Sequence, residues 1–339
     1  MRTLVVSDLH LGARLRHDVL ALSKPRQRLL DALDRVDRLV LLGDIVELLE
    51  GRPEQALSAA EPILRAIGDR LGAARQVVLV PGNHDMMLVR PWALAQDGAL
   101  HPAASIPASA TPALARVTSA LTPAQVSVSY PGVWLSDRVW ATHGHYLDRH
   151  LLPESAFGIT RGLLGRLPRD GATPMDYELG PSLTRLEAVL TRSLPRPLAA
   201  LVEDLSELLR ASTMPRIRAR LFSRRWAPLT AALLSVQMRR ASIPALARVA
   251  HRLGVDADHV VFGHVHRLGP LPGDELPQWT GPSGRPQILN TGSWVYEPLL
   301  LHRSAPPHPY WPGGAVLLEP GKGPRAIGLL DDLTASELH

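Results

Sequence analysis

The chain of 339 residues contains no cysteine and carries a formal net charge of +5 at pH 7. Its apolar share of 45% and charged share of 20% are typical of a globular protein with a sizeable core. The lack of cysteine excludes disulfides, thiolate metal sites and cysteine nucleophiles.

Short apolar segments alternate with helical patterns in the first third of the chain. Buried strands are predicted over residues 2–7, 39–42 and 77–80. Between them, Ser23 can cap a first helix, and a second helix is predicted from about residue 53 to residue 71. This alternation predicts parallel βαβ units, in which functional side chains collect beyond the carboxyl ends of the strands.

The chain then changes character twice. Residues 99–130 are rich in Ala, Pro and Ser, and we expect a loop there with one or two short helices. A hairpin is predicted over residues 133–142. Residues 151–254 are Arg-rich and helical in pattern, and we expect an insertion or cap within one domain made of residues 1–150 and 255–339. The remaining strands are predicted over residues 259–262, 287–290, 315–318 and 326–329.

Five polar clusters follow predicted strands. They are, in chain order, Asp8-x-His10, Gly43-Asp44, Gly82-Asn83-His84-Asp85, His143-Gly144-His145 and Gly263-His264-Val265-His266. Each cluster alone is a common turn or cap, but five of them at strand ends are hard to obtain by chance. Carboxylate and imidazole ligands suit Mn, Fe or Zn, and a carboxylate such as Asp44 can bridge two divalent cations. If the last strand continues through its cluster, His264 and His266 share one of its faces.

The five clusters resemble the calcineurin-like metallophosphoesterase superfamily, whose pattern is D-x-H, G-D, G-N-H-(D/E), H and G-H-x-H in this order. The resemblance covers roughly residues 1–150 and 255–300. It implies an α/β fold, namely a four-layer α/β/β/α sandwich with two mixed sheets, to which this chain adds a helical insertion.

Two divalent metal ions are implied by the same resemblance, with manganese expected and iron, zinc or magnesium as alternatives. One metal would be held by Asp8, His10, Asp44 and His266, and the other by Asp44, Asn83, His143 and His264. A hydroxide between the metals would attack phosphorus in line with the leaving oxygen.

The resemblance also implies two catalytic residues. Asp44 bridges the metals, and His84 protonates the leaving group or steadies the charge on the phosphate. Glu47 and Asp85 are the two candidates for a partner of His84.

Candidate substrate contacts are Asn83, His145 and Arg149, and Asp148 and His150 could also face the substrate. In an alternative interpretation, the residues from 145 to 150 cap the following helix and support the metal ligands from behind.

The turn at residues 290–294 and the insertion are distantly similar to the UDP-2,3-diacylglucosamine hydrolases. Those enzymes typically lack the histidine that this chain has at His84, which favours a different substrate here. The predicted function is metal-dependent hydrolysis of a phosphoester or pyrophosphate bond in a small, nucleotide- or lipid-linked substrate.

Other functions stay open at this point: a nuclease or phosphodiesterase acting on nucleic acid, a protein phosphatase, and a metal-bound scaffold without catalysis. Aromatic residues that could stack on bases make up only 4% of the chain, which makes nucleic acid an unfavoured partner. The Arg-rich insertion could bind phosphate or an anionic membrane surface, or could present a solvated basic face. Because no signal peptide and no apolar run of ~18 residues is found, we expect a cytoplasmic protein, with peripheral contact to the inner face of the membrane as an option.

Overall fold

The computed structural model describes residues 1–13, 18–96, 100–151, 168–179, 238–301 and 304–338. Its strands form a seven-stranded and a four-stranded sheet. The first sheet contains β1 (Thr3–Val6), β2 (Arg38–Leu41), β3 (Gln76–Leu79), β4 (Ala104–Ile106), β5 (Gln125–Tyr130), β10 (Gly314–Leu318) and β11 (Arg325–Gly328). The second contains β6 (Gly132–Ser136), β7 (Val139–Thr142), β8 (His259–Phe262) and β9 (Gln287–Asn290).

Both sheets are mixed. In the first, with the order β11-β10-β1-β2-β3-β5-β4, the four central strands β1, β2, β3 and β5 run parallel and the others pair antiparallel. In the second, β7, β8 and β9 run parallel, and β6 pairs antiparallel with β7. The carboxyl ends of parallel neighbours meet at one edge of a sheet, so the polar clusters that follow them are gathered together.

Helices flank the two sheets. They are α1 (Ser23–Leu33), α2 (Pro53–Leu71), α3 (Arg90–Leu94), α4 (Pro112–Ala120), α5 (Asp148–Leu151), α6 (Pro174–Glu178), α7 (Ile243–Arg252) and α8 (Pro298–Leu301). Proline is the first residue of α2. This position suits proline, because the N–H that it lacks would have no partner in the first turn of a helix. Within the described ranges, none of the helices combines the length and the apolar character needed to cross a bilayer.

Side-chain alternation in the strands divides the interior into layers. In β1, Leu4 and Val6 pack into the core that includes α1, α2 and α4, whereas Val5 packs into the core between the sheets. In β8, Val261 joins that same inter-sheet core, and Phe262 packs on the opposite side with α7. Helices, sheet, sheet and helices therefore form four layers, which confirms the fold class predicted from the sequence.

Two local predictions were wrong. Residues 99–130 contain the strands β4 and β5 in addition to α4. In β5, Val126, Val128 and Tyr130 alternate with polar residues, a strand period that the flanking Ala and Pro residues obscured. Ser23 is the first residue of α1 and makes no capping hydrogen bond, because the N-cap position falls on Leu22.

Most of the predicted insertion, residues 151–254, lies outside the described residues. The described parts are residues 168–179, which contain α6, and residues 238–254, which contain a π-helical turn and α7. Helix α7 buries Ile243, Leu246 and Val249 in the core on the outer face of the second sheet. The division of the chain at residues 150 and 255 stays a prediction.

Candidate metal centre

The five polar clusters follow strands of both sheets. Asp8 and His10 follow β1, Asp44 follows β2, and Asn83 follows β3, all in the first sheet. The other three residues predicted to be metal ligands, namely His143, His264 and His266, follow β7 and β8 in the second sheet. The candidate site therefore lies where the carboxyl ends of the two sets of parallel strands come together.

The backbone at these residues adopts an unusual conformation. Among the described residues other than glycine, a positive φ occurs only at Asp8 (53°), His10 (45°), Asp44 (52°), His264 (68°) and His266 (55°). Left-handed backbone costs free energy in residues with a Cβ and concentrates at functional sites. All five of these residues were predicted as metal ligands from the sequence alone.

The two histidines after β8 do not share one face of a strand, as they would if the strand continued. The strand ends at Phe262, so side-chain alternation along a strand does not apply to His264 and His266. Instead, the donor atom of His266 groups with those of Asp8 and His10, and the donor atom of His264 groups with those of Asp44 and His143. Within each group the donor atoms all lie within 4.8 Å of one another.

Asp44 belongs to the second group and also approaches the first. Its Oδ2 is 3.1 Å from His143 Nε2 and 3.9 Å from His10 Nε2. Its Oδ1 accepts a hydrogen bond of 2.8 Å from the backbone N–H of His84. Gly82 makes this approach possible, because a Cβ at that position would collide with Asp44 Oδ1 and the His143 ring.

His143 shows why the donor set fits a cation. Its Nδ1 lies 3.0 Å from the Leu42 carbonyl oxygen, which only accepts, so Nδ1 carries the donating N–H. In a neutral imidazole the lone pair is then on Nε2, which lies 3.0 Å from Asn83 Oδ1 and 3.1 Å from Asp44 Oδ2. In that neutral state Nε2 and the two oxygens are all acceptors in a buried place, so either a proton on Nε2 or a bound cation is needed to remove their repulsion.

His10 presents a similar arrangement. Its Nδ1 lies 2.8 Å from Glu47 Oε2, which again places the N–H on Nδ1. Its Nε2 is buried and has no hydrogen-bond partner among the described residues. A buried nitrogen lone pair without a donor is costly unless a cation binds it.

Glu47 also answers the open question about His84. Glu47 Oε2 lies 2.6 Å from His84 Nδ1, so one carboxylate oxygen contacts both His84 and His10. Asp85, the other candidate, accepts hydrogen bonds from the backbone N–H groups of Ile45 and Gly82. Glu47 is therefore the partner of His84, and Asp85 shapes the loop.

The comparisons with known proteins agree with this geometry. The chain matches the family model of the calcineurin-like phosphoesterases over residues 1–268. The chain belongs to the calcineurin-like phosphoesterase family. The superfamily predicted from the motifs is thereby confirmed, and this phosphoesterase is a hydrolase that acts on phosphoester bonds. The clusters of His and Asp fit the divalent metals that the family uses.

Comparisons with curated proteins and with solved structures add nothing to this assignment. No curated protein matches this phosphoesterase. One of the solved structures that resemble it is a point mutant of a cold-active protein tyrosine phosphatase, at 16% sequence identity and a TM-score of 0.28. That match covers 94% of this chain and 75% of the other, and a similarity this weak carries no argument.

The buried charges of the phosphoesterase favour a cation at the site. Burial opposes ionisation of Asp44, but the neighbouring His143, His84 and His10 hold its pKa well below its usual range. Burial likewise opposes ionisation of Glu47, yet His84 and His10 lower its pKa to about 2. Burial and the Asp44 carboxylate raise the pKa of Asp85 to about 6. The carboxylates nearest the histidines are therefore anionic at neutral pH.

His143 responds to the same charges. Burial alone would lower its pKa, but the Asp44 carboxylate raises it to about 9. A positive charge beside Asp44 is thus stabilised even in this buried place. Because imidazole ligates a metal only when its lone pair is available, a cation bound here would replace that proton.

Replacing Glu47 by Gln should destabilise the site strongly. Glu47 Oε1 accepts from the backbone N–H groups of Leu49 and Glu50, while Oε2 contacts His10 and His84. A glutamine has only one acceptor oxygen. Its NH₂ group must therefore face either the two backbone N–H groups or the two histidine nitrogens, and the hydrogen bonds on that side are lost. We expect a loss of about 1–3 kcal/mol in the free energy of unfolding and weaker metal binding.

Chemical denaturation in EDTA and metal content after dialysis would measure these two effects of Glu47→Gln. The control is Glu61→Gln, which changes a half-buried carboxylate that pairs with Arg65 and Arg116, away from the candidate metal ligands. Unchanged stability and metal content in Glu47→Gln would contradict the role of Glu47 as a double acceptor.

Two of the candidate substrate contacts, Asn83 and His145, lie beside the second group of donors. The ring centroid of His145 is 5.6 Å from that of His143 and 6.5 Å from that of His264. Arg149 is buried. His150 contacts the Tyr177 hydroxyl at 3.1 Å, so it packs against α6. Substrate contact by Asn83, His145 and Arg149 stays a prediction.

A buried carboxylate that the sequence interpretation missed lies next to His145. Glu178, in α6, accepts hydrogen bonds from the hydroxyls of Tyr130 and Tyr146 and lies 4.0 Å from His145 Nε2. Burial opposes its ionisation, but His145 and the two hydroxyls lower its pKa. No motif marks Glu178, and only the tertiary fold brings it to this place.

Proposed function

We propose that this calcineurin-like phosphoesterase holds two divalent cations and uses them to hydrolyse a phosphoester or pyrophosphate bond in a small substrate. The observation that carries the proposal is the position of Asp44, whose Oδ2 faces a nitrogen of each of two donor groups. A shared carboxylate is what a site with two metals needs. The proposed ligands are Asp8, His10, Asp44 and His266 for one cation, and Asp44, Asn83, His143 and His264 for the other.

When bound, the cations would polarise the phosphoryl oxygens, activate water for in-line attack and stabilise the charge that builds in the transition state. Residues of the chain orient His84. Glu47 holds the His84 ring through Nδ1, and Asp44 holds the His84 backbone. These contacts support the proposed role of His84, which is to protonate the leaving oxygen or to steady the charge on the phosphate.

The proposed substrate is a nucleotide- or lipid-linked phosphate, and manganese is the proposed metal. Donor sets that mix imidazole nitrogen with carboxylate and amide oxygen suit manganese better than magnesium or calcium. The overall positive charge of the chain favours an anionic substrate. Contact with an anionic membrane stays a prediction, because most of the Arg-rich segment lies outside the described residues.

One substrate panel tests the proposed function. The manganese-loaded protein is assayed against a phosphomonoester, a phosphodiester, a UDP-linked lipid, a phosphopeptide and single-stranded DNA, with a chelator-treated sample as the control. We expect metal-dependent turnover of at least one small phosphoester or pyrophosphate substrate and none of DNA. Cleavage of DNA alone would favour a nuclease, and cleavage of the phosphopeptide alone would favour a protein phosphatase.

A further inference from the structure

Asp148 makes a contact that no motif of the family pattern includes. It is the first residue of α5, and its Oδ1 lies 2.9 Å from His264 Nε2. The two side chains are 15% and 3% exposed, so the contact is shielded from solvent. Because a shielded carboxylate is a strong acceptor, this contact favours the N–H of His264 on Nε2.

The contact determines which nitrogen of His264 is available to a metal. With the N–H on Nε2, the lone pair of the neutral ring is on Nδ1. The backbone of His264 is fixed independently, since its N–H donates to the Asp8 carboxylate at 3.0 Å. Backbone and ring are therefore held by two different carboxylates.

Two other proposed ligand rings, those of His143 and His10, are likewise held through one nitrogen, which leaves the other nitrogen for a metal. Leu42 holds Nδ1 of His143 through its carbonyl oxygen, and Glu47 holds Nδ1 of His10. Among the described residues, the donor group that contains His264 consists of Asp44, His143 and His264, without Asp148. Asp148 thus contacts the ring from outside the group, as carboxylates behind metal-binding histidines do.

We propose that Asp148 is a positioning residue for the second cation: it holds His264 in the tautomer and orientation that present Nδ1 to the metal. The inference rests on the proposed function, because it needs a cation at Asp44, Asn83, His143 and His264. Loss of such a partner typically weakens metal binding about 10–100-fold.

A structural role for Asp148 makes a different prediction. An acidic residue in the first turn of a helix stabilises that helix. If Asp148 served only this purpose, its loss would lower the melting temperature in EDTA and leave metal affinity unchanged. Asp176 is a matched control, since it lies in the first turn of α6 and accepts a hydrogen bond from the Thr173 N–H.

The experiment is a titration of the metal-free protein with Mn²⁺, followed by calorimetry and by metal content at fixed free Mn²⁺. The variants are Asp148→Ala, Asp148→Asn, Asp176→Ala, His264→Ala and the double variant with alanine at residues 148 and 264. Denaturation in EDTA reports whether each variant folds. Because an asparagine oxygen can still accept from Nε2, Asp148→Asn also serves if the alanine variant folds poorly.

For wild type we expect two binding events. In Asp148→Ala one of them should weaken about 10–100-fold, in Asp148→Asn it should weaken less, and in Asp176→Ala both should stay. Alanine at residue 148 should add no further loss when His264 is already alanine, because the two residues act as one unit.

If Asp148→Ala binds both Mn²⁺ ions with the affinities of wild type, the inference is overturned and the proposed function is left intact. Additive losses in the double variant would overturn it as well. Wild-type protein that binds fewer than two cations at saturating Mn²⁺ would overturn the proposed function itself, and this inference with it.

Discussion

Asp44→Asn should abolish phosphoester hydrolysis and lower the metal content below two cations per chain. The Asn oxygen can still accept from the His84 N–H as Asp44 Oδ1 does now. The NH₂ group then occupies the place of Oδ2, facing His143 Nε2 and His10 Nε2. An amide nitrogen neither ligates nor bridges divalent cations, so we expect turnover to fall at least about 10³-fold, or about 4 kcal/mol of transition-state stabilisation.

Steady-state kinetics and elemental analysis of the same preparation would measure both effects. The matched control is Asp34→Asn, which removes one negative charge from an exposed carboxylate that pairs with Arg70. Full turnover with two cations bound in Asp44→Asn would rule out the two-metal proposal.

His84→Ala should separate metal binding from proton donation. Removing the ring takes away one of the two imidazoles on Glu47 Oε2 and leaves the contact of Glu47 with His10. We therefore expect both cations to remain while cleavage slows about 10²–10⁴-fold, the usual contribution of a positioned general acid. The loss should be largest for substrates whose leaving groups are most basic, since these need the proton most.

The test uses a series of aryl and alkyl phosphoesters whose leaving groups differ in pKa. We expect the cleavage rate to depend more steeply on that pKa in His84→Ala than in wild type. His251→Ala, at an exposed position of α7, controls for the loss of an imidazole. An equal rate of wild type and His84→Ala across the series would exclude the proton-donor role.

The strands and the polar clusters of this phosphoesterase were predictable because both follow local patterns. The segments at Thr3–Val6 and His259–Phe262 are short and largely apolar, and each is followed after one residue by Asp8 or His264. Strand β5 was missed because its alternating pattern is embedded in a segment whose composition is typical of loops. Local composition and strand period conflicted there, and tertiary pairing with β3 decided the outcome.

The contacts behind the candidate ligands were less predictable. The sequence left Glu47 and Asp85 as candidate partners of His84, and only the fold shows which carboxylate reaches the ring. Asp148 and Glu178 lie far along the chain from His264 and Tyr130, which they contact. No spacing rule links such residues, because the turns between strands and helices set their separation in space.

The origin of the two donor groups has a consequence for stability. Asp8 and His10 follow a strand of the first sheet and His266 follows a strand of the second, and Asp44 and His143 are divided in the same way. Under the proposed assignment, each cation would therefore cross-link the two sheets at the carboxyl ends of their parallel strands. The free energy of unfolding would then rise with the logarithm of the free cation concentration. Metal supply would thus set the stability of the folded chain as well as the activity proposed for it.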